Sequence, residues 1–139
     1  MVQLNAKEVL HLQVECSPPL EVKNCPDGYL RVIPITGGVF NGEIEGTVVE
    51  GGADWNTEKI DGSAHVFAKY LLKTKDGHYI VIENEGIIPK ENQGLIKTSP
   101  KFKADKNGKY AWLNNGVYVG SLEPGQGKYA VEIRIYKLL

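Results

Sequence analysis

Tyr129-Ala130-Val131-Glu132-Ile133-Arg134-Ile135-Tyr136-Lys137-Leu138 is the stretch that decides the fold class. Val131, Ile133 and Ile135 alternate with Glu132, Arg134 and Tyr136. A period of two sends the first set to one face of an extended chain and the second set to the other. An amphipathic helix would follow an i, i+3, i+4, i+7 pattern, whereas strict alternation at every second position fits a half-buried strand.

The same alternation recurs outward from this segment. It predicts strands at Lys7–Glu15, Tyr29–Ile35, Gly42–Val49, Ser63–Thr74, His78–Glu83, Leu95–Phe102, Tyr110–Leu113 and Val117–Leu122. In Ser63–Thr74, Val66, Ala68, Tyr70 and Leu72 share one face, and His65, Phe67, Lys69 and Leu71 share the other. Asp-Gly or Asn-Gly pairs at 27–28, 41–42, 61–62, 76–77, 107–108 and 115–116 punctuate the runs. Such pairs accept positive φ and favour tight hairpins. Gly37-Gly38, Gly51-Gly52 and Pro124-Gly125 read as further breaks. No window carries a helix longer than two turns. Eight to ten short strands imply a β-sandwich or a β-barrel. A closed antiparallel barrel of the lipocalin or streptavidin kind is the better fit, because closure removes exposed edges and Ser63–Thr74 is long enough to bend around it. The expectation is one all-β domain over residues 1–139, with Gly86–Ser99 as its most mobile loop.

Composition narrows the function classes. Of 139 residues, 42% are hydrophobic and 24% charged, and 16 Lys plus Arg stand against 17 Asp plus Glu. These values exclude disordered, collagen-like and coiled-coil chains. A net charge of −1 lacks the basic footprint of a nucleic-acid binder. No apolar run approaches the ~20 residues of a membrane-spanning helix, and no signal peptide is visible, so a cytoplasmic location is expected. In that compartment Cys16 and Cys25 read as reduced thiols rather than a disulfide. His11, His65 and His78 have no metal-ligand spacing, no Cys-x-x-Cys occurs, and Gly125-x-Gly127 is a turn rather than a phosphate loop. Neither a metal nor an organic cofactor is expected. Acidic residues gather in Gly42–Asp61 and lysines in Lys97–Lys109. Two solvated faces explain them; the sharper reading is a complementary pair of surfaces within the chain or in a homo-oligomer.

One ordered set of short motifs carries a resemblance. Pro34-Ile35-Thr36-Gly37-Gly38-Val39-Phe40-x-Gly42 is followed by Gly51-Gly52-Ala53-Asp54-Trp55, Asp61-Gly62, Lys69-Tyr70, Asp76-Gly77, Asn84-x-Gly86 and Ala111-Trp112-Leu113-Asn114. From about Leu10 to Tyr136 the chain resembles the uncharacterised protein family 0311, also called domain of unknown function 3237. The resemblance implies a small closed β-barrel and a set of positions, but no activity. Where the family pattern has Arg before the Tyr, this chain has Lys69, which keeps the charge and loses the planar fork.

The candidate site residues follow. Asp54 beside Trp55 can act as an acid or base if burial raises its pKa. The plainer alternative is a turn-bonding Asp with Trp55 plugging the barrel end. Asp61 is explained by its Asp-Gly turn. Lys69 and Tyr70 must point to opposite faces, so one of them faces the lumen. Lys69 there would bind an anion or act as a base; outside, it is an ordinary surface lysine beside a core tyrosine. Arg31 can meet a ligand carboxylate or form an ion pair with Asp54 or Glu132. Asn84 can bond a ligand or end a strand in an Asx-turn. Trp112, sharing a face with Tyr110, can wall a pocket or fill core. The leading expectation is a barrel that binds a small, largely apolar organic molecule in its lumen or mouth. The alternative is an isomerase- or cyclase-type enzyme using Asp54 as acid or base with Lys69 or Arg31 as charge partner. A third is an interaction protein.

Overall fold

A computed structural model describes residues 1–92 and 94–139. Its strands are β1 (Ala6–Cys16), β2 (Leu20–Cys25), β3 (Gly28–Gly42), β4 (Gly46–Glu58), β5 (Ala64–Thr74), β6 (Tyr79–Ile88), β7 (Ile96–Lys103), β8 (Tyr118–Pro124) and β9 (Val131–Leu138). A short 3₁₀ turn, η1, spans Ala111–Asn115 between β7 and β8. All pairings are antiparallel, in the order β1-β9-β8-β7-β6-β5-β4-β3, and β3 returns to β1. The result is a closed eight-stranded barrel. Among the described residues no helix is long and apolar enough to cross a membrane.

The long bent strand is β3, at 15 residues, rather than Ser63–Thr74 alone. Its C-terminal half pairs with β1 and its N-terminal half with β2, so one edge serves two partners. Strand β2 lies outside the ring and is almost wholly exposed. Leu20 and Val22 alternate with Glu21 and Lys23, but the run is only six residues long and follows Pro18-Pro19, and it is not among the strands predicted from the sequence. Four further expectations change. Gly86–Ser99 is not one loop, because β6 runs on to Ile88 and β7 begins at Ile96. Gly37-Gly38 and Gly51-Gly52 lie inside strands, as irregularities in register rather than ends. Residues 43–45 form the β3–β4 turn, so β4 begins at Gly46 and runs on to Glu58. Tyr110–Leu113 is not a strand: it enters η1, where a 3₁₀ turn packs Leu113 inward.

The inward residues divide the barrel into a packed half and a hollow half. Leu10, Leu12, Phe40, Leu72, Ile80, Ile82 and Ile135 are buried at one end. There η1 inserts Leu113, and Phe102 meets Tyr118 edge to face at 5.1 Å. Each fully buried aliphatic side chain contributes about 1.5–3 kcal/mol, so this end holds the fold. Further along the same strands the inward residues change to Val14 and Cys16 on β1, Ala68 on β5, Asn84 on β6, Thr98 on β7 and Val131 on β9. Smaller and more polar side chains replace the large aliphatics, and the lumen opens into a cavity.

Candidate functional site

The placement of Asp54 begins with a register irregularity. On either side of it the β4–β5 ladder pairs Val49 with Leu71 and Ala53 with Lys69. Glu50, Gly51 and Gly52 therefore stand opposite the single Tyr70. The crowding requires glycine, because a Cβ on Gly52 would lie 2.4 Å from the Tyr70 Cβ and 2.5 Å from the Lys69 carbonyl oxygen. Gly51 takes φ +121°, a conformation L side chains rarely adopt. The bulge adds two residues, an even number, so the alternation that turns Val48 inward also puts Asp54 and Asn56 on the lumen side. Trp55, between them, must point out.

The cavity has a volume of about 240 Å³ and is mostly apolar, with Ile33, Ile35, Val66, Leu122 and Ile133 in its walls. Asp54 is its carboxylate, and among the described residues no Lys, Arg or His lines it. The Phe67 backbone N–H donates to Asp54 Oδ1 at 3.1 Å. Burial raises the Asp54 pKa, and the Phe67 bond and the His65 charge offset only part of the rise. Burial, and then the Asp54 charge, push the Cys16 thiol up to about 11. The Tyr70 hydroxyl is also raised, by burial first and then by Cys16 and Asp54. Tyr70, Asn84 and Thr98 are only 3%, 3% and 5% exposed. Tyr70 Oη, Asn84 Oδ1 and Thr98 Oγ1 are buried without a hydrogen-bond partner in the protein. Orphaned buried polar atoms cost about 1–3 kcal/mol each, so three around one cavity require an explanation.

The structure brings together Asp54, Tyr70 and Asn84 and separates the other candidates from them. Asn84 lies mid-strand in β6, not in a strand-ending turn. Lys69 projects from the outer wall, 57% exposed, with its Nζ 3.4 Å from Glu83. The alternation that turns Tyr70 inward turns Lys69 out. Trp55 is 49% exposed and neither walls the lumen nor plugs its end. It shares an outer groove with Gly51, Gly52, Lys69 and Leu71. Trp112 packs against the closed end from η1, and Lys137 Nζ stands 5.5 Å above its ring. Arg31 pairs with neither Asp54 nor Glu132. Its Nη2 donates to Asn56 Oδ1 at 3.4 Å, and its guanidinium lies 5.9 Å from the Tyr29 ring. Glu132 is taken by His11 and Arg134.

Four lining residues with polar or titratable side chains were not among the candidates: Cys16, Asn56, Thr98 and Tyr129. For three the signal existed, since Cys16 follows Val14, Asn56 follows Asp54 and Thr98 follows Ile96 at spacing two. Tyr129 reaches the cavity from just before β9, and its spacing of two from Val131 was the signal for it as well. Both cysteines are free thiols. The acidic and basic clusters do not face each other. Glu43 pairs with Lys7 and Glu45 with Lys75, while Lys109 pairs with Asp76.

Known proteins extend this description. A UPF0311 protein of Bradyrhizobium diazoefficiens is 28% identical over 121 residues, covering 76% of this chain and 79% of its own length. A solved beta-barrel like protein from Acinetobacter baumannii superposes with a TM-score of 0.87 at 28% identity, over 100% of this chain and 98% of its own. A Penicillium herquei protein named as a hydroalkoxylation enzyme is 37% identical over 99 residues, which is 70% of this chain and 60% of that enzyme. The profile described as Protein of unknown function (DUF3237) matches residues 5–138, and the chain therefore belongs to the DUF3237 family.

Proposed function

We propose that the barrel binds a small, largely apolar organic molecule in its lumen and that Asp54 acts on it as a general acid or base. The observation that carries this reading is a carboxylate in the wall of an apolar cavity of about 240 Å³ that no Lys, Arg or His among the described residues lines. An apolar cavity of ~150 Å³ holds benzene, so this one admits a fused bicycle or a ring with a short chain. Burial keeps the Asp54 proton on to a higher pH than in water, the direction that a carboxyl used as a general acid requires.

The Penicillium herquei relative suggests a reaction type. Hydroalkoxylation adds an O–H across a carbon–carbon double bond. One alkene carbon takes a proton, the other bonds the oxygen, and the hydroxyl proton leaves. Within one molecule this is an isomerisation that closes a ring, with no atom or electron gained or lost. In its protonated form Asp54 can supply the proton, and its carboxylate can recover one at the end. Tyr70 and Asn84 serve as binding groups in this reading, and Arg31 holds Asn56 at the rim. Lys69, Trp55 and Trp112 have no part in it.

Two titrations test the reading. Beta-naphthol, a fluorescent bicycle, is expected to bind the wild type and Lys69→Met alike. With ortho-prenylphenol, which carries an alkene and a hydroxyl in one small molecule, ring closure is followed by NMR. The wild type should turn it over. Asp54→Asn should bind naphthol within a few-fold of the wild type and lose turnover by on the order of 100-fold or more. No naphthol binding at millimolar concentration would refute the cavity reading. Binding with equal turnover in Asp54→Asn would refute the role of Asp54.

A further inference from the structure

We infer that Tyr70, Asn84 and Thr98 form a subsite for a neutral hydroxyl group, so that the ligand class is an alcohol, phenol or enol and not a carboxylate. The inference rests on the cavity reading above and names the chemistry it selects.

The three residues come from three adjacent strands and meet in one wall. Asn84 on β6 stands across from Ala68 on β5, and Ala68 stands across from Asp54 on β4. Asp54 and Asn84 thus lie two strands apart, roughly 10 Å between backbones, with only a methyl group between them. Thr98 on β7 pairs with Gly86 on one side and Gly120 on the other. A Cβ on Gly120 would stand 2.4 Å from Thr98 Oγ1. The space around these oxygens therefore exists because Ala68, Gly86 and Gly120 supply almost no side chain.

The donor and acceptor count selects the ligand. Tyr70 Oη and Thr98 Oγ1 each carry a proton to donate, and Asn84 Oδ1 can only accept. All three are buried and unpartnered. A ligand hydroxyl satisfies the set, because it accepts from the two hydroxyls and donates to the amide oxygen. A ketone would leave Asn84 Oδ1 without a proton. A carboxylate would face Asn84 Oδ1 and Asp54 with no lining cation to offset its charge.

Three probes of one size test the subsite: naphthalene, beta-naphthol and beta-naphthoate, titrated into the folded protein at neutral pH. Naphthol should bind about fivefold or more tighter than naphthalene, and naphthoate should bind weakest. Tyr70→Phe and Thr98→Val, near-isosteric changes checked for folding by thermal melting, should each cut the naphthol preference by about fivefold and leave naphthalene affinity in place. If naphthalene binds as tightly as naphthol, the cavity reading stands and the hydroxyl subsite is overturned. Tightest binding of naphthoate would overturn it in favour of an anion site. If none of the three binds, the cavity reading itself fails and the inference falls with it.

Discussion

Replacing Gly52 by alanine drives a methyl group into the wall formed by β5. The new Cβ would lie 2.4 Å from the Tyr70 Cβ and 2.5 Å from the Lys69 carbonyl oxygen. Relaxed carbon contacts sit near 3.5–4.0 Å, so the two strands must separate by about 1 Å. Overpacking of this sort costs about 1–3 kcal/mol. The opposing atoms are main chain and Cβ, which no rotamer change can move, so the upper end of that range, about 3 kcal/mol, is expected. For a chain of this length the melting temperature should fall by roughly 6–12 °C. Gly51→Ala is the control. No atom lies within 4 Å of its Cβ, yet its φ of +121° makes alanine strained there. That strain costs about 1–3 kcal/mol without displacing β5. The two variants should therefore melt lower by comparable amounts and differ in amide NMR shifts. Gly52→Ala should move the resonances of Ala68–Leu72 and of the facing β6 residues. Gly51→Ala should leave β6 unmoved. A Gly52→Ala protein that melts within about 2 °C of the wild type would refute the argument. So would equal shifts along β6 in both variants.

Asp54 also sets a pH dependence. Burial raises its folded pKa above the unfolded value near 3.9. Below both values the acid is neutral in both states and carries no penalty. As pH rises through the unfolded and then the folded value, the unfolded chain gives up its proton first and stability is lost. Asp54→Asn removes the loss, so the variant should gain on the wild type between about pH 4 and pH 7, measured as urea midpoints. A stability difference that is the same at both ends of that range would sink the claim. Cys16 offers a third handle. With its thiol pushed up to about 11, its thiolate fraction at neutral pH should be on the order of 100-fold below that of an ordinary cysteine. Ellman's reagent should label it slowly in the folded protein, faster in Asp54→Asn, and slower again with naphthol bound. Labelling at the rate of the urea-unfolded chain would contradict this.

Much of the architecture was legible because strand faces follow a local rule. Val131, Ile133 and Ile135 share a face through backbone geometry alone, and so do Val66, Ala68, Tyr70 and Leu72. Asp27-Gly28, Asp61-Gly62 and Asp76-Gly77 mark the hairpin turns through their tolerance of positive φ. Tyr70 stood out on a predicted strand, whereas Asp54 read as following a Gly-Gly turn and Asn84 as following the strand His78–Glu83. Local rules fail where the partner is distant. Gly51-Gly52 reads as a break by sequence, but the pairs Val49–Leu71 and Ala53–Lys69 on either side carry the strand through it. Trp112 reads as part of a strand, but η1 plugs the barrel end instead.

The sequence by itself determined two faces for each strand, the places where the chain turns, and a pattern of short antiparallel strands suited to closure. It could not say which face becomes the inside, because alternation is symmetric under exchange of faces. Closure of β3 onto β1 made that choice, turning Asp54 and Tyr70 inward and Trp55 and Lys69 outward. The cavity is equally nonlocal. Ala68, Gly86 and Gly120 are far apart in the chain and leave a hollow only because the strand registers set them close together beside Asn84 and Thr98.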